Sequence, residues 1–230
     1  MRISQALIAS ATLLILTGCA PAASQTAPAT DTGSSSSENS SSASSEKTIA
    51  IATGASLKEE LLESGILEIG EENAPVSMLL FTNYSCGYCL DFHDHLYSKL
   101  LTEYVSVGKV RLGIVPLAMQ KYPQSLTTAA LMLCSAKQKK GKLMHDLLFT
   151  ELDEKKLQKE ISALGLTMDA LQQCIASDDL KVMLSSEEKY ALSFGISLAP
   201  SYVINNRKFT GLPEWADLRG QIEEALRTAR

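Results

Sequence analysis

With 21 lysines and arginines against 26 aspartates and glutamates, this 230-residue chain carries a net charge of −5, and that balance argues against a nucleic-acid partner. Hydrophobic residues make up 45% of it, and the length suffices for one domain with a sizeable core, or a core with an inserted subdomain.

The chain opens with Met1-Arg2, an apolar run from Ala6 to Leu16, and Leu16-Thr17-Gly18-Cys19. The run is shorter than the ~20 residues a membrane-spanning helix needs, so residues 1–18 read as an export signal. The four residues ending at Cys19 resemble the bacterial lipobox, which implies cleavage before Cys19 and lipidation of its thiol. An ordinary signal cut near Ala20-Pro21-Ala22 is the other reading, and it releases a soluble protein. Either one places the mature chain outside the cytoplasm. From Pro21 to about Glu46 the composition falls to Ser, Ala, Thr and Pro, too polar to offset its ordering entropy. Residues 19–46 are therefore expected to be a lipidated cysteine and a flexible tether, and 47–230 the folded domain.

Ser56-Leu57-Lys58-Glu59 has the capping-box pattern and predicts a helix that Gly65 stops. Ile66 to Ile69 is a short strand candidate. Val76, Met78, Leu79, Leu80 and Phe81 form a nearly continuous apolar run, typical of a strand buried on both faces. Behind it come Cys86-Gly87-Tyr88-Cys89 and then Phe92, Leu96 and Leu100 at helical spacing, with His93 and His95 expected on the solvated side. A cysteine pair at a helix N-terminus meets free backbone N–H groups and the positive end of the helix dipole, which favour thiolate over thiol. Cys86, outermost, is expected to be the exposed nucleophile, and Cys89, one turn in, the thiol that resolves a mixed disulfide. Two other readings of the pair stand beside this one: half of a zinc site completed by His93 and His95, and an inert structural disulfide.

Lys109 to Leu117 predicts a second buried strand, so that strand, helix and strand form a βαβ unit with parallel strands. No strand pattern interrupts Gln124 to Gly195, which predicts a helical insertion spanning about 122–195. The basic cluster Lys137 to Lys142 closes one of its helices, with contact to anionic lipid as the alternative use. Thr167 is placed to cap another, with Leu166 and Leu171 spaced as a hydrophobic staple. Ser201 to Ile204, Asn205-Asn206 and Arg207 to Phe209 read as a hairpin, and Pro213 fits the first turn of a last helix whose face is Trp215, Leu218, Ile222 and Leu226.

In this order the elements resemble the thioredoxin fold in its DsbA-type form, an α/β fold interrupted by a helical subdomain. The resemblance covers roughly Gly70 to Leu226 and rests on Ala74-Pro75-Val76, Cys86-Gly87-Tyr88-Cys89, His145-Asp146-Leu147-Leu148-Phe149 and Gly195-Ile196-Ser197-Leu198-Ala199-Pro200. It implies a cis-proline at Pro200, with Ala199, Gly87 and Tyr88 facing substrate, and no cofactor or metal beyond the Cys86–Cys89 pair. Two departures stand out. Many relatives bury an acid six positions before the first cysteine, where this chain has Leu80, so no proton acceptor for Cys89 is visible. The dipeptide Gly87-Tyr88 is common in bacterial disulfide isomerases, whereas the insertion resembles oxidases; the isomerases' dimerisation domain has no room before Gly70, and a monomer is expected.

If Cys19 is lipidated and Cys86 pairs with Cys89, the remaining two, Cys134 and Cys174, are expected to join in an oxidising compartment, two buried free thiols being the alternative. Taken together, the resemblance implies an exported, lipid-anchored oxidase of protein cysteine pairs, reset by a membrane redox partner. A disulfide reductase or isomerase is the enzymatic alternative. A metal-delivering lipoprotein using Cys86, Cys89 and His93 is the alternative from another class. Gly87-Tyr88 lacks a cationic or imidazole donor and Asp91 adds negative charge, so a moderate oxidant is expected.

Overall fold

A computed structural model describes residues 57–150 and 153–229; the expected export signal, Cys19, the serine-rich stretch and Ser56 lie outside the described residues. The fold is built on β3 (Val76–Thr82) and β4 (Val110–Pro116), which run parallel with Met78 opposite Leu112 and Leu80 opposite Ile114. Only Ser77 and Arg111 of these strands escape full burial, as two-sided packing of near-continuous apolar strands requires. Between them runs one unbroken helical stretch: α1 (Gly87–Phe92), a π-helical turn His93–Tyr97, α2 (Ser98–Leu100) and a second π-helical turn Leu101–Val105.

Four shorter strands, β1 (Glu59–Leu61), β2 (Leu67–Ile69), β5 (Ser201–Ile204) and β6 (Arg207–Thr210), complete a sheet of order β1-β2-β4-β3-β5-β6, antiparallel at every pairing except β3 with β4. Five helices lie between β4 and β5: α3 (Ser125–Ala136), α4 (Gly141–Leu148), α5 (Glu154–Ala163), α6 (Met168–Ile175) and α7 (Asp178–Ser193). A last helix, α8 (Trp215–Thr228), follows the hairpin. This is a thioredoxin fold carrying a helical insertion. Alternation along β3 divides its side chains between two cores. Met78 and Leu80 join Phe92, Leu100 and Leu218, while Leu79 and Phe81 join Ala191, Ile196 and Val203.

Local chemistry explains the junctions. Asn205 and Asn206 both take positive φ, 42° and 70°, which suits asparagine in a two-residue hairpin turn. Thr167 accepts the Ala170 N–H at 3.2 Å, and Leu166 and Leu171 are buried on either side of that cap. The lysine cluster does close a helix: Lys137 is the C-cap of α3, Lys139 beyond it has a φ of 58°, and Lys142 already belongs to α4.

Two expectations fail. The helix predicted from the capping box is instead strand β1, because pairing Leu61 with Leu67 extends the sheet and packs Leu57 and Leu61 on the main core. Glu59 does cap a helix, but a distant one: its carboxylate accepts the N–H groups of Gly141 at 2.8 Å and Lys142 at 3.0 Å, the start of α4. A side chain at Gly141 would collide with Ala136 and Leu67, so the approach requires glycine. Pro213, expected in the first turn of α8, precedes the cap: Glu214 is extended and helical bonding begins at Trp215, whose ring packs 6.3 Å from that of Tyr104.

Glu187 of α7 is buried against the β1–β2 turn, where Gly65 has a φ of 86° and an added Cβ would sit 2.9 Å from the Glu187 side chain. Its Oε1 has no hydrogen-bond partner, and burial pushes its pKa well above the usual carboxylate range. Unfolded, the same carboxyl ionises above about pH 4.3, so its contribution to stability is full below that pH and declines as pH rises toward the folded value, by at most about 1.4 kcal/mol per pH unit. Urea midpoints of Glu187→Gln should therefore match the parent near pH 4 and exceed it at pH 7; parallel curves across that range would mean that the buried carboxyl is not held neutral.

Cys134 of α3 and Cys174 of α6 form a disulfide with Cα atoms 5.7 Å apart. The bond closes a 40-residue separation, worth about 4 kcal/mol in the chain-entropy account. Replacing both by serine should lower unfolding free energy by roughly that amount, measured with the Cys86–Cys89 pair held reduced in parent and variant alike.

Candidate active site

Strand β3 delivers the chain into the site at Thr82, and Asn83, Tyr84 and Ser85 turn it into the helix. Asn83 organises that turn: its Oδ1 accepts the Ser85 N–H at 2.9 Å and its carbonyl accepts the Cys86 N–H at 3.1 Å. Cys86 then occupies the N-cap of α1 in extended conformation, and its carbonyl accepts the N–H groups of Cys89 and Leu90. Both cysteines are thiols here.

An outermost position in the motif predicts an exposed Cys86, yet it is 5% exposed and Cys89 1%. The cover comes from the Ala199–Pro200 segment, whose connecting peptide bond is cis and whose Ala199 carbonyl accepts a hydrogen bond from the Cys86 thiol at 3.3 Å. Tyr88, 68% exposed, and Leu198, 55% exposed, stand beside this covered sulfur as apolar surface.

The two sulfurs are tuned in opposite directions. Burial pushes the Cys86 thiol up, but the N–H and thiol of Cys89, the Tyr122 hydroxyl and the Tyr88 N–H all favour its thiolate, and its pKa ends below the ordinary thiol value. Burial raises Cys89 to about 12, offset only in part by the Asn83 N–H and the Thr82 hydroxyl. Part of that rise comes from Cys86 itself, by charge and by hydrogen bond. Once Cys86 is bonded to another sulfur that contribution disappears, and Cys89 becomes easier to ionise.

Tyr122, Thr82 and Asn83 are not visible as site residues in the sequence. Tyr122 comes from the loop after β4 and packs against the cysteine pair with Phe149, Tyr84, Leu90 and Ala199. Nothing in its spacing from the C-x-x-C motif could have revealed it, since the parallel pairing of β3 and β4 brings the two loops together.

The insertion also reaches the site, through His145 and Phe149. Tyr84 Oη and His145 Nδ1 are hydrogen-bonded at 3.0 Å, and burial pulls His145 down to about 3, so its ring is neutral. His93, expected in solvent, instead stacks on Phe149 at 4.7 Å, with its Nε2 3.6 Å from Asp146 Oδ1. Its position accounts for this, since His93 lies one helical turn after Cys89, on the flank of the buried seam of Phe92 and Leu96. His95 is exposed and donates through Nδ1 to the Asp91 carbonyl at 2.9 Å. Among the described residues, no group of three or more His, Cys, Asp or Glu side chains is placed to hold a metal ion. Leu80 is buried in the main core.

The family model described as thioredoxin matches residues 62–224. No curated protein matches the sequence. Among solved structures, the chain is similar to a thioredoxin-like oxidoreductase from Silicibacter pomeroyi, with 19% identity and a TM-score of 0.62 over 70% of this chain and 92% of that one. A periplasmic thioredoxin-like protein from Salmonella enterica serovar Typhimurium shares 19% identity and a TM-score of 0.61 over 72% and 92% of the two chains. The thiol-disulfide exchange protein alpha-DsbA2 from Wolbachia pipientis shares 20% identity and a TM-score of 0.59 over 68% and 85%.

The opposed thiols predict selective chemistry. With the protein reduced, iodoacetamide near pH 7 should alkylate Cys86 and leave Cys89 unmodified, as read by peptide mass spectrometry. Equal labelling of both would contradict the split between a lowered Cys86 and a Cys89 near 12.

Proposed function

The chain belongs to the thioredoxin family, and we propose that it is an exported thiol–disulfide oxidoreductase that oxidises cysteine pairs in proteins through Cys86 and Cys89. The observation that carries this reading is the divergence of the two thiols: a stabilised Cys86 thiolate makes the reduced pair favourable, which is what an electron-accepting disulfide needs.

Starting from the Cys86–Cys89 disulfide, a substrate thiolate attacks Cys86 Sγ. The bond to Cys89 breaks, the electron pair leaves on the Cys89 sulfur, and that sulfur takes a proton. The second substrate thiolate then attacks the substrate sulfur of the mixed disulfide. A substrate disulfide forms and Cys86 departs as thiolate, so two electrons have passed to the pair. Ala199 presents backbone to the incoming chain beside cis-Pro200, and Gly87 with the exposed Tyr88 offers further contact next to Cys86. The Thr82 hydroxyl and Asn83 N–H receive the charge on Cys89 as it leaves.

No group beyond the cysteine pair is needed for this exchange. The lipobox-like residues at Cys19 and the serine-rich stretch support a lipid-anchored location with a tether giving the domain reach along the membrane. A monomer reset by a membrane redox partner completes the reading. The Salmonella relative is a periplasmic protein and the Wolbachia relative a thiol-disulfide exchange protein, and both favour the same compartment and chemistry for this chain.

Cys89→Ser, expressed in its own cell envelope, should accumulate mixed disulfides on Cys86 that reductant releases, whereas Cys86→Ser should trap nothing. Purified protein should oxidise a reduced two-cysteine peptide in a glutathione buffer without added metal. Trapping by Cys86→Ser would reverse the roles, and metal-dependent activity would favour a metal-delivering protein instead.

A further inference from the structure

Gly87-Tyr88 contributes no side-chain donor to the sulfur, yet a hydroxyl is brought to it from elsewhere. Tyr122 packs against the cysteine pair, and its hydroxyl is among the groups that favour the Cys86 thiolate. The loop that carries it is constrained at each step. The Tyr122 N–H donates to the Met119 carbonyl at 3.0 Å, and the Tyr122 carbonyl accepts the Ser125 N–H at 3.0 Å.

That loop is also joined to the cysteine turn by buried hydrogen bonds. The Asn83 amide donates to the Leu117 carbonyl at 2.7 Å and to Ser125 Oγ. Ser125 Oγ in turn donates to the Leu117 carbonyl at 2.9 Å and accepts the Met119 N–H at 2.7 Å. Asn83 and Ser125 are both buried, so each of these bonds lies where an unmade one would be costly. On the solvent side, Lys121 Nζ sits 4.7 Å from the centre of the Tyr122 ring, and a cation over the ring face strengthens the hydroxyl as a donor.

We propose that Tyr122 is a catalytic residue of the exchange site: its hydroxyl donates a hydrogen bond to Cys86 Sγ when that sulfur carries negative charge, and Asn83 and Ser125 are the positioning residues that hold it there. This rests on the oxidoreductase reading and adds to it the group that sets its direction. In the second exchange, the bond between Cys86 Sγ and the substrate sulfur breaks, the substrate disulfide forms, and the electron pair stays on Cys86. The Tyr122 proton is shared with that sulfur and not transferred. The donor thus speeds departure of Cys86 and makes the same thiolate a weaker nucleophile in the reverse direction.

The test compares Tyr122→Phe, which keeps the ring and removes the hydroxyl, with the parent in the full folded protein. A hydrogen bond to a charged group is worth about 1.5–3 kcal/mol, so the constant for reduction of the pair by glutathione should fall at least roughly tenfold. The thiolate titration of Cys86, followed by absorbance or alkylation rate, should move to higher pH. Ser125→Ala should move both readouts in the same direction while leaving Tyr122 in the chain. Unchanged titration and equilibrium in Tyr122→Phe, with parent protein that still oxidises peptide, would overturn the role of Tyr122 and leave the oxidoreductase reading standing. Parent protein that exchanges no disulfides would overturn both. A shift in Tyr122→Phe but none in Ser125→Ala would remove the positioning role from the buried hydrogen bonds.

Discussion

One buried amide, Asn83, holds the site together. Its Oδ1 takes the Ser85 N–H, its Nδ2 reaches Leu117 and Ser125, and its carbonyl takes the Cys86 N–H. Its own N–H is the donor that faces Cys89. A single residue at the end of β3 therefore fixes the start of the cysteine helix, the loop after β4 and one of the few groups that can receive charge on the inner sulfur. Because the residue is buried, its polar atoms have no water to fall back on, and each bond makes the others harder to give up.

The cysteines show how little of a motif's chemistry lies in the motif. Four residues place one sulfur at a helix N-cap and the next one turn inside it, and burial acts on both in the same sense. The outcomes diverge because the donors around Cys86 outweigh its burial, whereas the two that face Cys89 do not and Cys86 itself adds to the rise. Some belong to the helix, and Tyr122 belongs to a loop delivered by the neighbouring parallel strand. The insertion closes the inner side with an uncharged wall, in which His145 is too deeply buried to ionise and Phe149 lies against the cysteine pair.

Features governed by neighbours in the chain were legible in the sequence. The apolar run of β3, the seam Cys89, Phe92, Leu96 and Leu100, the Thr167 cap and the paired asparagines each follow from backbone preference or periodicity, and each is found in the fold. Features decided by contacts across the fold were not. Glu59 has the chemistry of a cap, but the helix it caps begins at Gly141, on the far side of the sheet's assembly. His93 looks polar and solvated, but it lies on the flank of the buried seam and meets Phe149 of the insertion, a contact made across the fold. Tyr122 is one tyrosine among seven until the βαβ pairing sets its loop beside Cys86.

The disulfide between α3 and α6 has a consequence for how such a protein is made. Cys134 is wholly enclosed while Cys174 is only partly buried, so in the finished molecule an oxidant reaches the pair only through Cys174, with Cys134 attacking from inside. During synthesis Cys19, Cys86, Cys89 and Cys134 all emerge before Cys174, the proper partner of Cys134. A nascent chain thus passes through a stage in which Cys134 can meet other thiols while its correct partner is absent. The protein is in this sense a client of the chemistry proposed for it.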